Sequence, residues 1–509
     1  MSRRRRKAGI NHTESQSANA IGAVQGGQYK PLSDADLANI HRAALEILDS
    51  IGMAGATDEL RGLALNAGCR YHDGRLSFAP AWIEDLIAAI PKKMTLYGRS
   101  EQLDVQLGVG DTHYATGGMA VRMVDLESGE YRPSTLQDLY DCARLVDGLD
   151  NIQVFNRSCV PSEITDLREF DLAIAYACAA GTEKPIGIGF NHPDHIRECV
   201  EMFDTILGAE GRFKQRPFAT CNTCAVVPPM TYGEDNTTVA MAAARLGFPV
   251  KMTNAAQAGA TAPAALAGTL AQTVAESLAG MAMVQLAQAG APVMWANWPF
   301  VSDLRTGAFS GGGGEIAVLN AASAQIARWY GFPNCVSGGM TDAKEMDAQY
   351  GYEKGMTDLA AGLAGADIVY ESSGMIGSII GCALESYVLD NEMLAAARQT
   401  IKGIEVNDDT LSVEVIRDVC LHGPGHFLGH EQTLQLMKSE YHYPVLASRE
   451  TIEAWCETGK PSLREKARIR AREMLAASRP LIAREVEEKI ASRFPVHRLH
   501  PQQAEIKQA

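Results

Sequence analysis

The stretch "PVMWANWPF", Pro292 to Phe300, starts like a buried strand, with Val293 and Met294 behind a proline. It then sets Trp295, Asn297 and Trp298 together before Pro299 stops it. Seven other short apolar runs share that character: "THYATGG" ending at Gly118, "IQVFNRSCV" from Ile152, "PIGIGF" from Pro185, "PFATCNTCAV" from Pro217, "PVKMTNA" from Pro249, "NCVSGG" from Asn334 and "DIVYESS" from Asp367. Between them lie amphipathic stretches at helical spacing. In residues 134–149, Ser134 and Gln137 read as a capping box, and Leu136, Leu139, Tyr140, Ala143 and Val146 as an apolar stripe. Eight strand-helix units over roughly 280 residues predict a closed parallel (β/α)8 TIM barrel, fold class α/β, over 106–410. A doubly wound open sheet is the alternative, but no GxGxxG turn follows the first strand.

Around that barrel the pattern predicts a basic, disordered tail over 1–30, a helical lobe over 31–105 and a charged helical extension over 411–509. The lobe begins at Ser33 and Asp34, before a helix carrying Leu37, Ile40, Ala44, Ile47 and Leu48. It continues through a hairpin turning at Asp73-Gly74 and a helix near 81–90. A chain of 509 residues, 46% hydrophobic, buries a large core, and a net charge of -15 argues against nucleic acid or an anionic membrane as partner. The run of arginines from Arg3 to Arg6 is the local exception. No apolar signal or spanning segment appears, and eleven cysteines without framework spacing suit reduced thiols, so a cytoplasmic protein is expected.

In such a barrel the chemistry sits at the C-terminal strand ends. There the sequence offers Arg157, Asn222, Asn254, Glu371 and the Trp295, Asn297, Trp298 group, with Trp295 and Asn297 sharing one strand face. Residues three apart on a strand face opposite sides, which speaks against a zinc site at Cys221 and Cys224. Glycines and a proline interrupt the His422, His426, His430 spacing. Lys251 is a Schiff-base candidate, set against the preferred reading of an outward lysine paired with a carboxylate. The loop from Trp298 to Gly314, with "SGGGG" at Ser310 to Gly314, reads as a lid or hinge.

Several long ordered stretches resemble the trimethylamine methyltransferase family over nearly the whole chain. They are "RRRRKAG", "LSDADLANIHRAALEILDSIGM", "YATGGMAVRMVDLESGEYRPSTLQDLYDCARLVDGLDNI", "GGMTDAKEMDAQYGYEK", "ESYVLDNEML" and "GPGHFLGHEQTL". The resemblance implies a (β/α)8 barrel that moves a methyl group from an amine to cobalt of a separate corrinoid protein. The chain contains only the twenty ordinary residues and no pyrrolysine, which points to the branch acting on glycine betaine and other quaternary amines. A quaternary ammonium leaves as a neutral amine, so no catalytic acid, base, nucleophile or metal is expected. Needed instead is a cation cage, for which Trp295, Trp298, Tyr350 and Tyr352 are candidates. Asn222, Asn254, His422 and His426 are candidate donors to a carboxylate, with Asn297 and Glu371 beside them at the strand ends. Expected partners are a small methylated amine, the corrinoid protein, which carries the cobalamin-type cofactor, and further copies of the chain in a homo-oligomer. The rival readings are a zinc- or Schiff-base-dependent barrel enzyme and a non-catalytic betaine-binding protein.

Overall fold

The computed structural model describes residues 23–497, apart from 424, together with 499. The arginine run of the expected tail lies outside the described residues. The end of that tail is corrected: Val24–Gln25 is a short strand pairing antiparallel with Asp111 and Thr112.

All eight segments form strands: β1 Asp111–Thr116, β2 Phe155–Asn156, β3 Ile186–Ile188, β4 Ala219–Thr223, β5 Val250–Asn254, β6 Val293–Asn297, β7 Cys335–Ser337 and β8 Ile368–Ser373. A helix follows each: α1 Leu136–Asp147, α2 Leu167–Gly181, α3 Pro193–Leu207, α4 Glu234–Leu246, α5 Leu266–Ala287, α6 Gly314–Tyr330, α7 Ala348–Ala364 and α8 Leu384–Lys402. The protein is thus α/β, with β2 to β6 forming one parallel sheet in chain order and β7, β8 and β1 a second parallel set. Parallel bridges from Ala115 to Val154 and from Trp295 to Asn334 join the two sets at both margins.

Prolines mark the strand starts for a physical reason. Pro185, Pro249, Pro292 and Pro333 stand one or two residues ahead of a strand, where no ladder N–H is lost, and their carbonyls accept from Phe155, Cys221, Val250 and Trp295, each at 2.9 Å. One face of both sets shares an apolar cluster that includes Ala115, Val154, Met294, Ala296, Trp298, Cys335, Ile368 and Tyr370. The other face, with Phe155, Ile186, Val293, Trp295, Val336 and Val369, belongs to the core shared with the helices. The first is the inner face of the strands and the second is their helix face.

Two ends follow. At the N-terminal ends of the strands a hairpin, Met94–Leu96 with Val105–Leu107, inserts Met94, Leu96, Val105 and Leu107 into the inner cluster. At the C-terminal ends stand two small sheets. One joins Met375–Ile376, Gly381–Ala383, Arg122–Val124 and Tyr131–Pro133; the other joins Gln257–Ala258, Phe300–Ser302 and Phe309–Ser310.

The N-terminal lobe contains strands as well as helices. Asp34–Ser50 starts on Ser33, which shares a capping box with Asp36, and the expected hairpin turns at Asp73 and Gly74, with φ of 49° and 77°. The box on α1 is Thr135 with Asp138, not Ser134 with Gln137, because Ser134 Oγ donates to the Val160 carbonyl at 2.7 Å. Among the described residues no helix is long and apolar enough to cross a membrane.

Candidate active site

Strand alternation decides which side chains reach the C-terminal end of the inner face. On β6 it is the even positions: Met294 and Ala296 point inward and Trp298 follows them just beyond the strand. Trp295 and Asn297 share a face, but it is the helix face, which corrects their expected place at the mouth. The Trp295 ring packs 5.8 Å from Tyr330 and 5.9 Å from Phe332, and Asn297 Nδ2 donates to Thr273 Oγ1 on α5 at 3.2 Å. Asn254 is corrected in the same way, since its amide donates to Glu276 Oε2 at 2.9 Å and to the Thr273 carbonyl.

What the inner face does carry is a cation between two rings. Lys251 on β5 is buried, with Nζ 3.8 Å from the Tyr370 ring centre and 4.7 Å from that of Trp298. Those rings lie 5.7 Å apart, and Trp298 Nε1 donates to the Cys335 carbonyl at 3.3 Å. The expectation of an outward lysine paired with a carboxylate is therefore overturned: among the described residues Lys251 has no ion pair or hydrogen-bond partner, and burial lowers its pKa. Lys184 shows what a buried structural lysine looks like here. Its ammonium donates to the carbonyls of Val146, Leu149 and Ile152 at 2.6–2.7 Å.

Glu371 lies next to Tyr370 on β8, so plain alternation would send it to the helix face. A register shift between Val369 and Ser373, and a φ of 67° at Glu371 itself, turn it to the end of β1 instead. There Oε2 accepts from Gly118 N at 3.1 Å, and a Cβ on Gly117 would sit 2.5 Å from the same oxygen, so the approach requires glycine. Burial pushes this carboxyl up to about 7, against the opposing pull of the Gly118 N–H and of Lys251 and Lys354.

Asn222 on β4 points inward and its amide donates to Asn156 Oδ1, while Thr220 Oγ1 donates to Asn222 Oδ1 at 3.1 Å. Arg157 follows Asn156, half-buried, with its guanidinium against Met119 Sδ and its pKa lowered by burial. The structure thus brings together Asn222, Trp298 and Glu371 from the expected set. Arg157, named from the sequence at the strand ends, and Lys251, named as a Schiff-base candidate, lie there too, and the structure adds Asn156 and Tyr370. For Tyr370 no sequence signal existed beyond its strand position.

The remaining candidates lie elsewhere. Tyr350 is buried on α7, donating to Asp390 Oδ1 at 2.6 Å and sharing a hydrogen bond with Ser386 Oγ, so its hydroxyl is committed to that network. Asp390 also pairs with Lys354 at 3.3 Å and accepts from Gly374 N at 2.9 Å, and Lys354 donates to the Met375 carbonyl. This network therefore holds the start of the rim hairpin. Tyr352 is 62% exposed on α7. His422 and His426 are exposed in the C-terminal segment, with His422 beside Asp418.

The glycine loop is not loose. Asp342 accepts from Ser310 Oγ, Gly311 N and Gly312 N at 2.8, 2.8 and 3.5 Å, and from Ser378 Oγ at 2.6 Å, and so ties the loop to the rim hairpin. Burial opposes ionisation of Asp342, but these bonds prevail and its pKa is lowered. A Cβ on Gly312 would lie 2.2 Å from Glu353 Cδ. Among the described residues no group of three or more His, Cys, Asp or Glu side chains is placed to hold a metal.

Two indoles three residues apart make a clean test of the assignment. Trp298→Leu should weaken binding of a quaternary ammonium ligand about 10-fold or more by calorimetry, whereas Trp295→Leu should lower the urea midpoint and leave that affinity within about 2-fold. Equal effects of both on affinity would contradict the facing described.

An α/β chain with a charged, aromatic-walled site at its strand ends is the class defined so far. Residues 1–498 match the sequence profile of the trimethylamine methyltransferase family, and the chain belongs to this family of methyltransferases. It is 29% identical over 452 residues to the glycine betaine methyltransferase of Desulfitobacterium hafniense, covering 88% of this chain and 93% of that protein. It is 30% identical over 451 residues to a trimethylamine methyltransferase of Methanosarcina mazei, covering 87% and 89%. Among solved structures it is similar to the Methanosarcina barkeri monomethylamine methyltransferase, with a TM-score of 0.46 and 13% identity over 90% of this chain and 96% of that one.

Proposed function

We propose that the protein transfers a methyl group from a quaternary or otherwise methylated amine, with glycine betaine favoured, to Co(I) of a separate corrinoid protein. Cobalt supplies the electron pair of the new carbon–cobalt bond, and the amine leaves with the pair of the broken carbon–nitrogen bond. The nitrogen departs neutral from a quaternary substrate, so no proton has to move with it.

The observation that carries this reading is Glu371, held at the strand ends by an unusual backbone conformation and acting on Lys251, whose ammonium lies on the Trp298 and Tyr370 rings. A carboxylate next to aromatic walls suits a methylated cation, which has no N–H to donate and is held by charge and ring faces. We read the eight strands as a single (β/α)8 barrel with this site at its mouth. The two marginal bridges and the shared inner cluster support that reading. The corrinoid would then approach past the two small rim sheets.

We also infer a homo-oligomer. The segment after α8 exposes Ile404, Leu421, Leu428, Val445 and Ile452 at 70–91%, an apolar surface that another copy would cover, and analytical ultracentrifugation reads this directly. The function is tested by mixing the protein with reduced corrinoid protein and, in turn, glycine betaine, carnitine, proline betaine, choline and trimethylamine. Growth of methyl-cobalt absorbance with at least one of them is expected; none with any would overturn the reading.

A further inference from the structure

We propose that Lys251, with Arg157 beside it, selects the substrate by binding a carboxylate, so that the site takes a zwitterionic amine of the betaine kind and disfavours amines that carry only positive charge. The proposal rests on the methylated-amine reading above and adds to it the residue that sorts one amine from another.

Burying a charge costs free energy unless a partner offsets the lost water. An ammonium removed from water needs a compensating partner, and Lys184 in the same protein has three carbonyls for that purpose. Lys251 is 2% exposed and has ring faces but no oxygen partner among the described residues. Cation–π contact recovers only about 1–2 kcal/mol of that desolvation. Arg157 likewise has no ion pair among the described residues, and its guanidinium and the Lys251 ammonium act on each other unfavourably. Glu371 is the carboxylate that both Lys251 and an incoming ammonium would feel.

Glu371 acts on Lys251 and Asp171 of α2 acts on Arg157, but among the described residues neither carboxylate hydrogen-bonds or ion-pairs with either cation, so both cations stay open to a carboxylate brought by a ligand. A ligand carrying only a positive charge would meet two cations that lack a direct partner and would leave both unpaired. A zwitterion resolves both deficits: its carboxylate completes Lys251 and Arg157, and its methylated nitrogen rests on Glu371 and the outer reach of the Trp298 ring. The carboxylate donors expected from sequence included Asn254, His422 and His426, none of which reaches this end of the inner face. Of those expected donors Asn222 does, bonded to the Asn156 amide.

Glycine betaine and choline make the sharpest pair of probes, since they differ by a carboxylate in place of a hydroxymethyl group. Calorimetry on the full chain should show betaine binding at least about 100-fold more tightly than choline. In Lys251→Met the betaine affinity should fall about 30-fold or more while choline affinity rises, because the repelling charge has gone. Equal affinity of the unaltered protein for both compounds would overturn the proposal without any variant. So would a Lys251→Met protein that loses both ligands alike, or keeps its preference, while its thermal unfolding matches that of the unaltered protein. The two readings fail separately. Tight, Lys251-dependent betaine binding with no methyl-cobalt formed would sink methyl transfer and leave this assignment standing; methyl transfer from betaine with no role for Lys251 would do the reverse.

Discussion

Replacing Glu371 by Gln should cut methyl transfer from a quaternary amine by about 100-fold or more at pH 8, because the substrate cation loses a buried countercharge. The same substitution should make the protein harder to unfold at that pH. The sign follows from the direction of the shift. Burial raises the Glu371 carboxyl to about 7 from an ordinary value of 4.5, so between those limits the folded state holds a proton that the unfolded state has released. Stability therefore falls as pH rises from about 4.5 to about 7, and Gln removes that penalty. The gain from Glu371→Gln should accordingly be present at pH 8 and absent near pH 4.5. Thermal unfolding at the two pH values, alongside transfer rates, checks both halves. In the unaltered protein, binding of a cationic methyl donor should weaken as pH drops through 7 and the carboxyl protonates.

Asp390→Ala should destabilise the protein by about 3–5 kcal/mol, the usual consequence of leaving one half of a buried ion pair unpaired. Lys354 and Asp390 are both fully buried, and Asp390 additionally accepts from Tyr350 and Gly374. The double variant Lys354→Met with Asp390→Leu removes both charges, so it should recover much of that loss in urea unfolding. Because Gly374 N and the Met375 carbonyl start the rim hairpin, Asp390→Ala should also reduce transfer at temperatures where the protein remains folded. A double variant no more stable than Asp390→Ala alone would show that the loss comes from packing rather than from the stranded charge.

The fold was largely legible in the sequence and the facing of its strands was not. Strands buried on both sides read as nearly continuous apolar runs, so "PVMWANW" carries no alternation to say which of Trp295 and Trp298 faces inward. A one-residue ambiguity of that kind exchanges the two faces, and it misplaced Asn254 and Asn297 along with Trp295. Lys251 was undervalued for a related reason. A lysine on a strand is ordinarily outward, and only the ring faces of Tyr370 and Trp298 show otherwise. Glu371 reaches the site through a positive φ that sequence does not announce for a glutamate. Tyr350 belonged to a network with Asp390, 40 residues away in the chain, and the glycine loop was fixed by Asp342, 31 residues from Gly311. Such pairings are tertiary, and residue type alone does not disclose them.

The most direct test of the central claim is a single turnover with glycine betaine bearing deuterated N-methyl groups, the reduced corrinoid protein and this protein in stoichiometric amounts. Mass spectrometry should find the deuterated methyl on cobalt and an equal quantity of dimethylglycine, with the yield collapsing in Glu371→Gln. Unlabelled cobalt with intact betaine, or label transfer unchanged in the Glu371 variant, would contradict a methyl donor held at the strand ends by that carboxylate.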